Sequence, residues 1–279
     1  MAATRHTVVE AFRIPDALWE RVEPLLPKVR RSRKGGRPPL PQRQVLDGIF
    51  YVLRTGCQWK AAPPEFGSGS SLHRYFRRWQ KRGVFRKLWQ DALREYDDEM
   101  GIDWEWQSLD GSMTKAPLGG KKTGKNPTDR AKIGTKRSVL TDGRGVPVGL
   151  EVAGANRPDM RLVGATLEGI AAERPEPTKK KPQHLCADKG YDYPSVRALV
   201  AAWGYTAHIP VKKAKGAEPV VRAKVPGYRA RRWVVERTHS WMNRFRRLLI
   251  RWEKKVPNYK AFLHFACAGI THQGAGVLG

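Results

Sequence analysis

The chain has 279 residues, of which 40% are apolar and ten are Trp, enough for one large domain or two ordinary ones around a packed core. Its 53 Lys and Arg against 26 Asp and Glu give a net charge of +27, an excess too large for solubility alone. That balance predicts a polyanionic partner, with nucleic acid as the default and an anionic membrane surface as the alternative. A membrane span is excluded, because no apolar run approaches the roughly 20 residues required, and no amphipathic anchor stands out. No charged-then-apolar signal segment opens the chain, so a cytoplasmic location is expected. Cys57, Cys186 and Cys267 are isolated and odd in number, fitting buried thiols rather than disulfides or a zinc site.

Residues 1–14 read as a loose leader. Asp16 is placed to cap a first helix through Leu18, Trp19, Val22 and Leu25. Residues 28–39 form a basic linker broken by Gly and Pro, in which Arg31, Arg33, Lys34 and Arg37 are suited to phosphates or a minor groove. A helix is predicted from Pro41 to Thr55, stopped by Gly56. After a Pro-broken turn, a capped helix runs from Ser70 to Arg82, with Leu72, Tyr75, Phe76 and Trp79 inside. His73, Arg74, Arg77, Arg78 and Lys81 face outward. Helix, turn and capped basic helix is the helix-turn-helix order, and it makes these five residues candidate DNA contacts. A further helix from Phe85 to Tyr96 leads to a domain boundary near residue 100. The division is an all-α DNA-binding domain, 1–100, and a catalytic domain, 101–279.

Past residue 100 the pattern changes. Trp104 to Leu109 alternates like a strand and delivers Asp110 at its end. A Gly-rich basic loop over 115–137 carries Lys121, Lys122, Lys125, Arg130, Lys132 and Lys136, candidates for holding phosphates. Strands at Ser138–Leu140 and Val146–Val152 flank Asp142-Gly143, a hairpin signal that makes Asp142 a turn residue. Asp159 is a candidate helix cap, with a supporting site role as the alternative. A strand from Gln183 to Ala187 delivers Asp188. A helix from Pro194 to Trp203 and a strand from Tyr205 to Val211 follow, then a basic loop to residue 230.

The stretch 231–247 reads as a helix, with Val234, Thr238, Trp241 and Phe245 at helical spacing and Glu236 on the opposite face. Glu236 is either an i, i+4 partner of Arg232 or a functional acid in a basic field. A last apolar helix runs from Asn258 to about Thr271. The second half is thus a mixed α/β sheet with two strand-end aspartates and one helical glutamate. Three carboxylates brought to one sheet edge suit Mg²⁺, with Mn²⁺ as a substitute, and two such ions cleave phosphodiesters.

Several of these segments resemble a known family. Trp106 to Ser112, Gly119-Gly120, Thr123-Gly124, Asn126 to Arg130 and Gly134 to Lys136 resemble the first-aspartate region of IS5-type bacterial insertion-sequence transposases. Leu185 to Asp192, reading Asp-Lys-Gly-Tyr-Asp at its end, resembles their second-aspartate motif, and Arg232 to Arg237 their glutamate region. Gly36 to Trp59 resembles their N-terminal segment, so the likeness spans about residues 15–270.

The resemblance implies a ribonuclease-H-like DDE core with Asp110, Asp188 and Glu236 as catalytic and metal-binding residues. It implies a DNA transposase that cuts at insertion-sequence ends and transfers 3′-hydroxyls to target DNA, as a homodimer or higher assembly on DNA in the bacterial nucleoid. The wider group carries Tyr, Arg, Glu and Lys at regular spacing on the glutamate helix. Here Arg232 fits, Tyr228 is one residue too far upstream, and Asn243 stands at the Lys position, leaving Arg244 or Arg247 for that phosphate contact. Two other readings are a repressor with an inactive catalytic half and a metal-dependent nuclease of the same fold.

Overall fold

Among the described residues from Asp16 to Met100 every regular element is helical, and the order follows the apolar spacing. The structure, a computed structural model, describes residues 12–28, 38–212 and 231–274. The expected contacts Arg31, Arg33, Lys34 and Arg37, and Tyr228, lie outside the described residues. The close of the expected leader is packed: Ile14 is buried and donates its N–H to Asp47 Oδ1 at 3.0 Å.

Helix α1 spans Asp16–Val22 and α2 spans Gln42–Thr55. Asp16 is the first helical residue, after Pro15, and its carboxylate pairs with Arg43 instead of capping. Helix α2 buries Val45, Ile49, Val52 and Leu53 and stops at Gly56, whose φ of 73° is the left-handed conformation glycine adopts without penalty. Helix α3 spans Gly69–Lys81 and is capped by Ser68, whose Oγ accepts from the Ser71 N–H at 3.2 Å. Leu72, Tyr75, Phe76 and Trp79 point inward as their spacing predicts. The helix-turn-helix expectation is corrected in one respect. Residues 56–68 connect α2 and α3 through two 3₁₀ turns, Trp59–Ala61 and Pro64–Phe66, where that motif has a turn of about 3–4 residues. Helix α4 spans Val84–Met100.

Among the described residues six strands follow: β1 Trp106–Lys115, β2 Gly124–Lys125, β3 Ile133–Thr141, β4 Pro147–Gly154, β5 Gln183–Cys186 and β6 Tyr205–His208. They form one sheet in which β3 pairs antiparallel with β4 and β1, and β5 and β6 extend it in parallel from β1. Short β2 adds to the start of β3. This is the mixed, ribonuclease-H-like sheet that the resemblance implies. Asp142 closes the β3–β4 turn as predicted: its Oδ1 accepts from the Val146 and Arg144 N–H groups at 2.8 and 3.0 Å. Alternation along β3 splits its neighbours between two faces. Ser138 Oγ accepts from Thr166 on α5 (Val163–Glu168), while Arg137 donates to Asn243 on α7 (Trp233–Asn243). Helix α6 spans Pro194–Ala202, between β5 and β6.

Helix α8, Val256–Gly274, is apolar on nearly all sides, which is the signature of a helix covered all round. It lies between the helical region and the sheet. Phe262 stacks on Phe76 of α3 at 4.4 Å, and Phe265 meets Phe85 of α4 and Phe50 of α2 at 5.3 and 5.5 Å. Trp89 of α4 donates to the Pro147 carbonyl at 3.1 Å and stacks on His264. The change from helix to sheet falls near residue 100, but the apolar core runs unbroken from Ile14 through Ile270.

Candidate active site

Asp110 stands in the middle of β1, not at a strand end as predicted. Beyond it, Gly111 to Lys115 stay in the sheet because β3 continues to pair with them, opposite Gly134 to Ser138. On the other edge the parallel partner stops. The last β1–β5 pair is Ser108 with Cys186, so two residues further along both strands stand Asp110 and Asp188. Asp188 leaves β5 as expected and caps a 3₁₀ turn, Lys189–Tyr191, accepting from the Gly190 N–H at 2.6 Å. Ser108 donates its hydroxyl to the Arg231 carbonyl at 3.1 Å, and the two-residue period places Asp110 on that same face, toward α7.

Burial is the main cause that lifts the Asp110 carboxyl to about 6; the Gly111 N–H opposes the rise, Asp188 and Asp159 add to it, and Arg232 opposes it. Glu236 lies on the exposed face of α7 and accepts from Arg232 Nη2 at 2.9 Å, so the helical ion pair is real. The Arg232 guanidinium is raised by its bond to Glu236 and by the charges of Asp188 and Asp110. One cation thereby feels all three candidate carboxylates. Among the described residues, no three His, Cys, Asp or Glu side chains are close enough to share one ion. Asp110 and Asp188 are brought together; Glu236 is beside them, held by Arg232.

Asp159, read as a cap with a supporting site role as the alternative, and Lys136, read as a phosphate contact, both stand behind Gly111, next to Asp110. Asp159 opens a 3₁₀ turn, Asp159–Leu162, without making a cap bond. Its Oδ2 accepts from Lys136 Nζ at 2.8 Å, and its Oδ1 lies 2.1 Å from where a Cβ on Gly111 would stand. Lys136 is 4% exposed and also donates to the Arg157 carbonyl, so it is an internal cation and not a phosphate contact. Arg247 is likewise corrected: it is buried, ion-paired with Glu253 at 2.6 Å and bonded to the Cys57 carbonyl. Of the two candidates for the missing Lys position, Arg244 is the exposed one. Asn243, at that position, accepts from the buried Arg137 at 2.6 Å.

The remaining basic candidates are outward. Lys121, Lys122, Lys125, Arg130 and Lys132 are exposed on the Gly-rich loop, with Lys122 paired to Glu151. Arg251, indistinguishable by spacing from the other cations, is buried and donates to the Lys121 and Lys122 carbonyls at 2.8 and 3.0 Å, fixing the root of that loop. Arg74, Arg77, Arg78 and Lys81 line an open groove on α3 together with half-buried His73. A second groove joins His73 and Arg77 to Trp252, Lys254 and Lys255. The two basic surfaces therefore meet on one side.

Comparison with known proteins matches both parts of the chain to transposase families. Residues 14–89 match the family described as "Putative transposase of IS4/5 family", and residues 107–268 match the "Transposase DDE domain". The chain is 35% identical over 156 residues to the "Putative transposase for insertion sequence element IS402" of Burkholderia cepacia, covering 53% of this chain and 68% of that protein. It is 27% identical to the "Putative transposase for insertion sequence element IS6501" of Brucella ovis, over 49% of this chain and 96% of the relative. A solved structure, the Mos1 mariner paired end complex with Mn, aligns over 99% of this chain and 93% of its own at 11% identity, but its TM-score of 0.27 carries no argument. DDE transposases act on DNA and use divalent metal ions. With the family model covering 107–268, more than half of the chain, the mixed sheet has a name: the chain belongs to the DDE-domain transposases.

Proposed function

We propose that this transposase cuts phosphodiester bonds at insertion-sequence ends and joins the freed 3′-hydroxyls to target DNA at one site built from Asp110, Asp188 and Glu236. What supports the reading is the parallel register, whose last pair, Ser108 with Cys186, lies two residues before Asp110 and Asp188, together with Arg232, which bonds Glu236 and feels the charge of both aspartates. The chemistry of the donors suits a hard divalent cation, and binding one requires the three carboxylates to draw closer than they stand here. All the ligand atoms are carboxylate oxygens, and the Asp110 carboxyl is already strained by burial and like charge. Asp110, Asp188 and Glu236 would hold Mg²⁺, or Mn²⁺ in its place, as two ions. A divalent ion bound there supplies activation of the attacking hydroxyl and charge stabilisation of the leaving oxygen.

The chain's own residues do the positioning. Arg232 is exposed beside the acids and turns from Glu236 toward a phosphate when the carboxylates are otherwise neutralised. Lys121, Lys125, Arg130, Lys132 and Arg244 hold the backbone near the site, and α3 contacts the terminal repeats with Arg74, Arg77, Arg78 and Lys81. Two ends must be held at once, so the active form is a dimer or larger on DNA, in the nucleoid.

The test is incubation of the full chain with the DNA flanking its own gene and Mn²⁺, followed by mapping of nicks and of joined products. Nicks at the element ends and joining to a second duplex are expected. Cleavage without joining favours a nuclease, and equal cleavage in chelator overturns the metal reading.

A further inference from the structure

Beneath the two aspartates lie two buried polar atoms without partners. Asp159 Oδ1 and the Tyr191 hydroxyl make no hydrogen bond, although each is sealed from solvent. Buried polar atoms are rarely left unpaired, and each such case in a folded protein needs an explanation. Tyr191 is only 1% exposed and lies on the turn that Asp188 caps, with its N–H donating to the Asp188 carbonyl at 3.1 Å. Its phenol is surrounded by like charge: after burial, the neighbours that resist its ionisation are Asp159, Asp110 and Asp188. The phenol is therefore a buried donor without a partner, in the field of three carboxylates.

Asp159 reaches the same spot from the other face of β1. Lys136 anchors its Oδ2, and Lys136 is itself fixed by the Arg157 carbonyl at 2.9 Å. Its Oδ1 occupies the volume that a side chain at residue 111 would fill, directly behind Asp110. Glycine at 111 is what allows the carboxylate in. The 3₁₀ turns that carry Asp159 and Tyr191 pack against each other. The arrangement therefore ties the Asp188 turn, the Asp110 strand and a Lys-anchored carboxylate into one unit.

We propose that Asp159 and Tyr191 are positioning residues of the cation site, which orient the Asp110 and Asp188 carboxylates when a divalent ion binds. The phenol O–H donates to the outer oxygen of an aspartate whose other oxygen faces the ion, and Asp159 holds the Gly111 segment so that Asp110 keeps its direction. Outer partners of this kind typically change metal affinity by about 10–100-fold when removed. The inference rests on the Asp110–Asp188 reading above and is tested so that the two fail separately.

The experiment is Mn²⁺ binding to the full chain without DNA, followed by the electron paramagnetic resonance signal of the free ion, with thermal melts in chelator alongside. Asp110→Asn should abolish binding. Tyr191→Phe and Asp159→Asn should each weaken it by about tenfold or more. A merely structural tyrosine would lower the metal-free melting temperature when changed. Here Tyr191→Phe deletes a hydroxyl that bonds nothing, so the melt in chelator should be unchanged or higher while Mn²⁺ binding falls. Wild-type affinity in Tyr191→Phe and Asp159→Asn, with binding lost in Asp110→Asn, overturns the positioning role alone. Wild-type affinity in Asp110→Asn overturns the site itself. Should Asp159→Asn fail to fold, Tyr191→Phe decides the question.

Discussion

Arg232 and Glu236, one helical turn apart on α7, are bonded at 2.9 Å, and the same guanidinium lies in the field of Asp110 and Asp188. A cation is thus already present among the acids in the metal-free chain. Burial, with Asp188 and Asp159 nearby, lifts the Asp110 carboxyl to about 6, and Arg232 opposes that rise. One guanidinium against three carboxylates offsets only part of their charge, so the cluster stays net acidic.

Asp110→Asn, Asp188→Asn and Glu236→Gln should each abolish cleavage and leave binding to element ends intact, as read by nicking assays and gel shifts. Asp110→Asn should also stabilise the metal-free protein. Burial lifts the Asp110 carboxyl from the ordinary 3.8 to about 6, so the destabilisation is absent below pH 3.8 and complete above pH 6. The full linkage would be about 3 kcal/mol. Partial exposure reduces this to about 1–2 kcal/mol, read from urea melts in chelator at pH 8 against pH 4.

Arg77→Ala on the exposed face of α3 should flatten sequence preference more than it lowers total affinity. A bidentate guanine contact gives about 1–3 kcal/mol of discrimination. Competition gel shifts of the full chain with terminal-repeat and scrambled duplexes would show the ratio collapse; an unchanged ratio means that α3 does not read the ends.

Much of this site could be read from order and spacing, and the limits were local. Asp188 was legible because a short apolar strand must end somewhere, and a capping aspartate follows it directly. Asp110 was displaced to mid-strand because Gly111 to Lys115 have no apolar alternation, so only the partner β3, distant in sequence, keeps them in the sheet. Asp159 looked like a cap because Asp before a helix usually is one, and Lys136 looked like one more cation of a basic loop. Their ion pair joins residues that only folding brings together. Arg247 and Arg251 show the same limit: guanidinium groups spent inside the protein on Glu253 and on loop carbonyls are indistinguishable in sequence from those meant for phosphate.

Phe262→Ala should destabilise the whole chain by about 3–5 kcal/mol, since it removes a buried ring stacked on Phe76. Because that contact joins α8 to α3, end binding and cleavage should be lost over the same denaturant range. Two separated unfolding transitions would show instead that the helical region melts independently.

His264 gives the fold an acid limit. Burial, then the charges of Lys260 and Arg86, lower its pKa from 6.5 to about 3. The unfolded chain takes up this proton as pH falls through 6.5 while the native chain does not. Stability present above pH 6.5 is therefore lost toward pH 3, by about 1.4 kcal/mol per unit for this residue. His264→Leu should flatten that slope in urea melts between pH 6 and 4.

The position of α8 sets a condition on how the protein is made. The helix that closes the apolar column under α3 is the last one described in the chain, so contacts within the N-terminal helices wait on residues roughly two hundred positions later. A product of interrupted synthesis carries the basic face of α3 on an unclosed core. Such fragments are expected to be cleared as misfolded chains, and they would not persist at the element ends as competitors of the complete enzyme.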